Sequence, residues 1–253
     1  MSIGASPTRI DAPEKTTGAT AYAGDLMPDG VLFAKVVFTN QPHARLISLD
    51  TTAAEAAAGV VTVLTSSDVP LNEYGLTMSD QPVLISPSDL INNLPETQVR
   101  PDISRWEADH LAVVVAETER QAVEAAMLLE PVWEALPIVV DIDAALADGA
   151  PVLHTEANPG ANNSGSNAYH HYVIRKGDPQ AMAAAEIIVE GTYEVPYQEH
   201  AYLQPEAALA YIDDEGRVTV ETGGQWTHED QEQVAHSLNI PQDQVRIIYR
   251  AIG

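Results

Sequence analysis

The chain has 253 residues and a net charge of −25, from 12 basic and 37 acidic side chains, and 45% of its residues are hydrophobic. A surface this acidic repels phosphate groups, which argues against nucleic acids and anionic membranes as partners. The lack of cysteine excludes disulfides, thiolate zinc sites and iron–sulfur ligation within the chain. The length predicts one large domain or two modest ones.

The first half of the chain predicts alternating strands and helices. Residues 1–14 contain two prolines and are interpreted as an irregular arm. Runs rich in β-branched residues or alternating in polarity predict strands at 31–39, 45–49, 60–64 and 111–116. An alanine-rich helix is predicted over 51–58, with Gly59 as its left-handed end, and a second helix from a Thr118 cap to about Glu130. Between them, the proline-rich residues 70–104 predict a long loop.

The second half is richer in predicted strands, and the domain boundary is placed near residues 137–143. The strand patterns cover 171–175, 186–195, 206–212, 217–222 and 244–250. One helix is predicted to begin after Asp178, which would cap it ahead of Pro179. Another is predicted to begin at Thr227, with acidic residues in its first turn where the helix dipole favours them.

Several classes of site and segment are missing from the sequence. It contains no G-x-S-x-G, H-E-x-x-H, phosphate-binding or dinucleotide-binding motif. The adjacent pair His170 and His171 would point to opposite faces of a strand, so metal ligation there is not expected. No apolar run reaches 18 residues, and the first residues do not resemble a signal peptide, so we expect a cytoplasmic protein.

Two polar blocks are candidates for a site. Gln198, Glu199 and His200 could line a ligand pocket or equally satisfy one another in a packed interior. Gln225 follows a predicted strand and two glycines, and it precedes a predicted helix start. Glycines let backbone approach a ligand closely, and a helix start offers free amide groups. Gln225 is therefore a candidate cofactor contact.

An ordered series of blocks resembles the molybdenum-binding large subunits of the xanthine dehydrogenase and aldehyde oxidase family. Residues 17–25 (TGATAYAGD) resemble the family's T-G-x-A-x-Y-x-x-D opening, and residues 41–50 (QPHARLISLD) resemble its S-P-H-A-R-I-x-x-I-D block. The later blocks of the series lie at 59–70, 111–118, 175–178, 191–193 and 197–206. The series covers about residue 15 to residue 253, and the sequence around 198–206 resembles bacterial xanthine dehydrogenase molybdenum subunits most.

The resemblance implies an α+β fold in two parts: a small α/β hammerhead domain at 15–137, followed by a truncated mixed α/β molybdopterin-binding domain at 138–253. It implies an oxidoreductase that hydroxylates a carbon beside a ring nitrogen or carbonyl with oxygen from water. The molybdenum cofactor would bind in the second domain, and electrons would pass to iron–sulfur clusters and FAD on partner subunits or domains. By position, Gln225 matches the family's glutamine at the molybdenum oxo ligand, and Gly253 matches the first glycine of its cofactor loop.

Two departures and one rival interpretation accompany this resemblance. Family members often have Glu at the position of Gln204, and Ala108, Asp109 and His110 replace a G-Q-P or G-E-P block. The family's catalytic glutamate would lie beyond residue 253, so this chain alone is expected to be inactive and holds no catalytic residue or metal ligand. The rival is a free-standing binding or scaffold module that uses the same fold without catalysis.

Overall fold

The computed structural model describes residues 3–75, 81–91, 99–154, 166–168 and 172–253. Over these residues the chain forms three sheets of three strands each, together with five α-helices. Two of the sheets lie between residues 33 and 135, and the third lies between residues 208 and 249. The mixed helix and sheet content agrees with the predicted α+β class.

The first sheet is antiparallel, in the order β1 (Phe33–Phe38), β5 (His110–Ala116) and β3 (Val60–Leu64). The central strand β5 is an almost continuous apolar run, as expected for a strand covered on both faces. Helix α3 (Glu119–Ala126) packs against β1 and β5. It begins where predicted, because the Thr118 hydroxyl accepts a hydrogen bond from the Gln121 amide at 3.3 Å.

The second sheet is also antiparallel, in the order β4 (Ile103–Ser104), β2 (Ala44–Asp50) and β6 (Glu130–Ala135). The short helix α2 (Thr52–Glu55) connects β2 toward the first sheet. Side chains of both sheets share one core with residues of the helices and of the loop before β4: Leu46, Ala54, Val63, Ile85, Leu111, Ala112, Val114, Ala125 and Leu129.

The third sheet mixes two directions. The strands β7 (Ala208–Ile212) and β8 (Val218–Thr222) form an antiparallel hairpin. The chain then crosses through α5 (Thr227–Leu238) and returns as β9 (Val245–Tyr249), which pairs with β8 in parallel. This strand–helix–strand unit places the carboxyl ends of β8 and β9 at one edge of the sheet, and it confirms the helix start predicted at Thr227.

Several local predictions are wrong. The predicted irregular arm is confirmed over residues 3–11, which form no helix or strand, but it ends earlier than predicted, because helix α1 covers Ala12–Thr17, where Pro13 suits the first turn. Two helices are shorter than predicted: α2 stops at Glu55, although Gly59 does adopt the expected positive φ, and α3 stops at Ala126 before β6. Helix α4 (Ile142–Leu146) was not predicted, and the predicted helix after Asp178 is a 3-10 turn over Pro179–Ala184.

The strands predicted at 171–175 and 186–195 are the largest error. The described residues of both ranges carry no strand and are exposed to solvent. A strand requires a neighbour for its backbone N–H and C=O groups, whatever its local pattern. The predicted domain boundary near 137–143 lies just before and within α4, and it stays a prediction.

Candidate functional site

The candidate site is the edge of the third sheet where β8 and β9 end side by side. Thr222 lies opposite Tyr249 in the parallel register, and the Arg250 N–H donates to the Thr222 carbonyl at 2.8 Å. Residues 223–226 leave β8 toward α5, residues 250–253 follow β9, and both segments contact Gln204. In open α/β sheets, ligands bind beyond the carboxyl ends of parallel strands, so this edge is the first place to look for a site.

Gln225 lies on the segment between β8 and α5. Its side chain is exposed, and its amide has no hydrogen-bond partner within the described part of the chain. The adjacent amino end of α5, at Trp226, has no side-chain cap. The edge therefore presents an amide side chain next to helix amides, and both are suited to an anionic or oxygen-rich ligand.

Tyr249 supports this segment from β9. Its hydroxyl accepts the Trp226 backbone N–H at 2.8 Å and donates to the Asp230 carboxylate of α5. Burial, and then the bond to Asp230, raise the pKa of Tyr249, so the phenol keeps its proton at neutral pH. The tyrosine ring also covers Gly224, where an added Cβ would come within 2.6 Å of the ring. Only glycine fits there without displacing the aromatic side chain.

Gln204 joins the segments that follow the two strands. Its side-chain oxygen accepts the Gly253 backbone N–H at 2.9 Å. A Cβ added at Gly223 would lie 2.3 Å from its side-chain nitrogen, and one added at Gly253 would lie 2.0 Å from its backbone nitrogen. At Gly253 the close neighbour is backbone, so glycine is required there, whereas at Gly223 it is the movable end of the Gln204 side chain; neither glycine has a positive φ.

A buried carboxylate supports the start of the 250–253 segment. Glu221 of β8 is buried, accepts a hydrogen bond from the Tyr211 hydroxyl at 2.8 Å and forms an ion pair with Arg250. The hydrogen bond to Glu221 raises the pKa of Tyr211, because it favours the protonated phenol. The Arg250 guanidinium compensates the negative charge of the buried Glu221 carboxylate. This ion pair fixes the backbone where it leaves β9.

The structure places both predicted cofactor contacts, Gln225 and Gly253, at this edge. Their contact with a cofactor stays a prediction. Gln198, Glu199 and His200 are exposed, so the alternative of a packed interior is wrong. The histidine pair at 170–171 lies outside the described residues. Among the residues that the structure describes, no group of three or more potential ligands could hold a metal ion, and no helix is long and apolar enough to cross a membrane.

Sequence reasoning did not assign three residues that the structure brings to this edge. The sequence predicts Tyr249 only as part of a strand, and it marks Gln204 only as a departure from the family's usual Glu. Lys15, from α1, donates a hydrogen bond to the Ile252 carbonyl across 237 positions of sequence. The unusual amide at Gln204 was a usable signal, whereas no local pattern indicates the contact of Lys15.

Comparison with known families finds two matches that follow one another along the chain. Residues 17–137 match the hammerhead domain of aldehyde oxidase and xanthine dehydrogenase. Residues 161–253 match the molybdopterin cofactor-binding domain. The candidate site, with Gly223, Gln225 and Gly253, lies within the second match.

Curated relatives and solved structures agree with these matches. The chain is 32% identical to a probable xanthine dehydrogenase subunit of Bacillus subtilis and covers 98% of itself and 30% of that protein. It is 30% identical to the nicotinate dehydrogenase large molybdopterin subunit of Eubacterium barkeri, over 99% of the chain and 54% of that subunit. The Desulfovibrio gigas aldehyde oxidoreductase superposes with a TM-score of 0.80 at 27% identity, over 96% of this chain and 26% of the other.

Proposed function

Because the chain belongs to the aldehyde oxidase and xanthine dehydrogenase family, we propose that it serves in the molybdenum-binding subunit of a hydroxylating oxidoreductase. The enzyme oxidises a purine, another N-heterocycle or an aldehyde, with oxygen taken from water. The chain spans 30% of the Bacillus relative and 54% of the Eubacterium relative. The activity of the whole protein is therefore inferred from the family.

The residues at the edge of the third sheet fit a molybdopterin group. Gln225 supplies an exposed amide that can donate to an oxygen atom, and the uncapped start of α5 supplies backbone N–H groups. The glycines at 223 and 224 hold the backbone close to Gln204 and Tyr249, so this edge has a defined shape. The exposed amide of Gln225 at the ends of β8 and β9 is the observation that carries the proposal.

The residues of the edge have different roles in binding the cofactor. The bound cofactor supplies the oxygen-transfer and two-electron chemistry. The Gln225 amide donates a hydrogen bond to an oxygen of that group and orients it. The backbone at Gly253 approaches the cofactor closely because no side chain intervenes. Tyr249 and Asp230 keep the Gln225 segment in place through the Trp226 backbone.

Electron transfer requires partners in this proposal. The chain has no cysteine, so iron–sulfur clusters cannot be ligated here. The clusters and FAD belong to partner subunits or domains. The relatives from Bacillus subtilis and Eubacterium barkeri are themselves named as subunits, which supports this assignment.

The proposed domain organisation has a hammerhead domain at 15–137 and a cofactor-binding region at 138–253. The family matches at 17–137 and 161–253 support this division. All residues of the candidate edge belong to the second part, except Lys15.

Replacing Gln225 with alanine in the purified complex tests the proposal. The lost hydrogen bond to the cofactor is expected to lower kcat by about ten- to a hundred-fold, the usual effect of removing a hydrogen-bond partner of a metal ligand. The substrates are a purine, nicotinate, quinoline and an aromatic aldehyde, with an artificial electron acceptor. Far-ultraviolet circular dichroism is expected to stay unchanged, because the Gln225 side chain is exposed.

The matched control is Gln180→Ala, at an exposed glutamine on the 3-10 turn over 179–184. This variant is expected to keep the wild-type kcat. Equal kcat for wild type and Gln225→Ala would remove Gln225 from the site. A purified complex without molybdenum or turnover on any substrate would favour the rival, non-catalytic module.

A further inference from the structure

A single peptide group at the candidate edge is held on both sides by distant side chains. The Ile252 carbonyl accepts a hydrogen bond from the Lys15 ammonium group. The N–H of the same peptide unit, on Gly253, donates to the Gln204 side-chain oxygen at 2.9 Å. The peptide unit is planar, with its C=O and N–H on opposite edges. Two bonds on opposite edges therefore fix its rotation about the chain direction.

Lys15 is placed for this contact by the short helix α1. Its side chain is only 13% exposed, and its Nζ lies 2.8 Å from the Asp11 carboxylate one helical turn earlier. A nearly buried ammonium group requires a charged partner, and Asp11 supplies it. The pKa of Asp11 lies well below its usual range, because Arg9 and then Lys15 donate to the carboxylate. Lys15 is thus paired with a carboxylate and directed at a backbone carbonyl.

Gln204 is placed by close packing. Its side chain occupies the space where Gly223 would otherwise carry a Cβ, and its backbone occupies the same space at Gly253. It therefore touches the segment after β8 and the segment after β9 at once. The side-chain oxygen that accepts the Gly253 N–H lies at the junction of the two segments.

Neither contact extends the third sheet, because the Ile252–Gly253 peptide lies beyond the last pair of β9. The peptide is held instead by Lys15 of α1 and by Gln204 of the segment before β7. Gln204 also lies against Gly223, so the two contacts orient this peptide where the segment after β9 meets the segment after β8.

We infer that Lys15 and Gln204 are positioning residues that preorganise the Ile252–Gly253 peptide for contact with the bound cofactor. The inference rests on the proposed function, since the cofactor is the group that this peptide would meet. Neither side chain is assigned a chemical role. Each acts through the orientation of the backbone between them.

The first test measures cofactor retention in the purified complex. Lys15→Met and Gln204→Met remove the donor and the acceptor while keeping side-chain length. Molybdenum and pterin contents of the purified complex are followed during dialysis at constant temperature. Each variant is expected to lose the cofactor about five- to ten-fold faster than wild type, the effect of one lost hydrogen bond. Gln204→Glu keeps an acceptor oxygen and is expected to retain cofactor nearly as well as wild type.

Matched controls make the same amino-acid replacements away from the candidate edge. Lys35→Met and Gln180→Met make the same replacements at exposed side chains on β1 and on the 3-10 turn over 179–184. Both controls are expected to lose cofactor at the wild-type rate. A retention curve for Lys15→Met or Gln204→Met that matches its control would overturn the inference.

The second test asks whether the two residues act on one peptide. Once either bond is lost the peptide is free to rotate, so the double variant is expected to lose cofactor less than about three-fold faster than the faster single variant. Independent, multiplying effects would show that Lys15 and Gln204 do not share a target. That result would also overturn the inference.

A readout without cofactor keeps this inference separate from the proposed function. Hydrogen exchange resolved to single residues reports the Gly253 amide directly. Its exchange is expected to be about ten-fold faster in Gln204→Met and measurably faster in Lys15→Met. A wild-type complex without molybdenum would overturn the proposed function. Faster exchange of the Gly253 amide in both variants would still show that Lys15 and Gln204 fix the Ile252–Gly253 peptide. Unchanged exchange of the Gly253 amide in both variants would show that Lys15 and Gln204 do not fix this peptide, whatever the molybdenum content of the complex.

Discussion

Residues 33–135, the amino-terminal region, carry six strands in two sheets around a shared core, whereas residues 172–253, the carboxyl-terminal region, carry one small sheet and one long helix. In the first region Leu46, Leu111 and Val114 are almost completely buried. Among the described residues of the second, the buried apolar side chains are Ala235 and Val245. The candidate site lies in the region with the smaller core.

The carboxyl-terminal region also exposes long apolar side chains on the segment before its sheet. Ile174 is 91% exposed and Val189 is 89% exposed, and neither lies in a strand. The two regions are therefore stabilised by different interactions. Apolar burial stabilises the first region, while the candidate edge is shaped by hydrogen bonds, ion pairs and close glycine contacts.

The largest expected effect tests the core of the amino-terminal region. Leu46→Ala removes a side chain that is 0% exposed, and it is expected to lower the free energy of unfolding by about 2–5 kcal/mol. The same replacement at Leu146 of α4, which is 57% exposed, is expected to change it by less than about 0.5 kcal/mol. Urea unfolding followed by circular dichroism measures both. Similar values for the two variants would contradict the shared core.

A smaller effect tests the close packing at the candidate edge. Gly224→Ala forces a Cβ to within 2.6 Å of the Tyr249 ring, which is expected to destabilise the β8–β9 pair by about 1–3 kcal/mol. Hydrogen exchange of the amides in β8 and β9 measures the local free energy of opening. Gly191→Ala is the matched control, because its Cβ would meet ordinary contacts at 3.4 Å.

A double variant identifies the source of this strain. In the Tyr249→Ala background the ring is gone, so adding Gly224→Ala is expected to cost less than about 0.5 kcal/mol further. An unchanged cost in that background would mean that the ring of Tyr249 is not what requires glycine at position 224. Tyr249 would then support the Gln225 segment through its hydrogen bonds, and not through packing of its ring on Gly224.

The sequence predicted the elements that carry their own local signals. The sequence predicts strand β3 at 60–64, the cap of α3 at Thr118 and the start of α5 at Thr227, and the structure confirms all three. Each has a β-branched run, a capping hydroxyl or acidic residues in the first turn. The strands predicted at 171–175 and 186–195 have strand-like patterns too, but pairing depends on a neighbour that the pattern does not encode.

Part of the candidate site was predictable, because it depends on elements with local sequence signals. The parallel pairing of β8 and β9 follows from a strand–helix–strand pattern, and it brings the segments with Gln225 and Gly253 to one edge. The two hydrogen bonds that fix the Ile252–Gly253 peptide were not predictable, since one of their partners, Lys15, lies 237 positions away in the sequence. The role of Tyr249 depends on the register that sets it above Gly224.

The smallest expected effect concerns the hairpin that joins β7 to β8. The Asp213 carboxylate accepts the backbone N–H groups of Glu215 and Arg217 at 3.0 and 2.9 Å, and the Thr219 hydroxyl at 3.0 Å. The backbone bond from Arg217 is the largest cause that lowers the pKa of Asp213 to about 2. Because the folded pKa lies below the unfolded value of about 3.9, the stabilisation is complete above pH 4 and is lost as the pH falls toward 2.

Asp213→Asn is expected to remove this dependence, because the amide cannot ionise. The variant should be less stable than wild type at pH 6, and the difference should shrink between pH 4 and pH 2. Hydrogen exchange of the β7 and β8 amides at several pH values measures it, with Asp214→Asn at the exposed neighbouring position as the control. A difference that stays constant over this range would show that the charge of Asp213 does not stabilise the hairpin. Since the hairpin has little core beneath it, its polar contacts are expected to respond to pH before the buried strands of the amino-terminal region do.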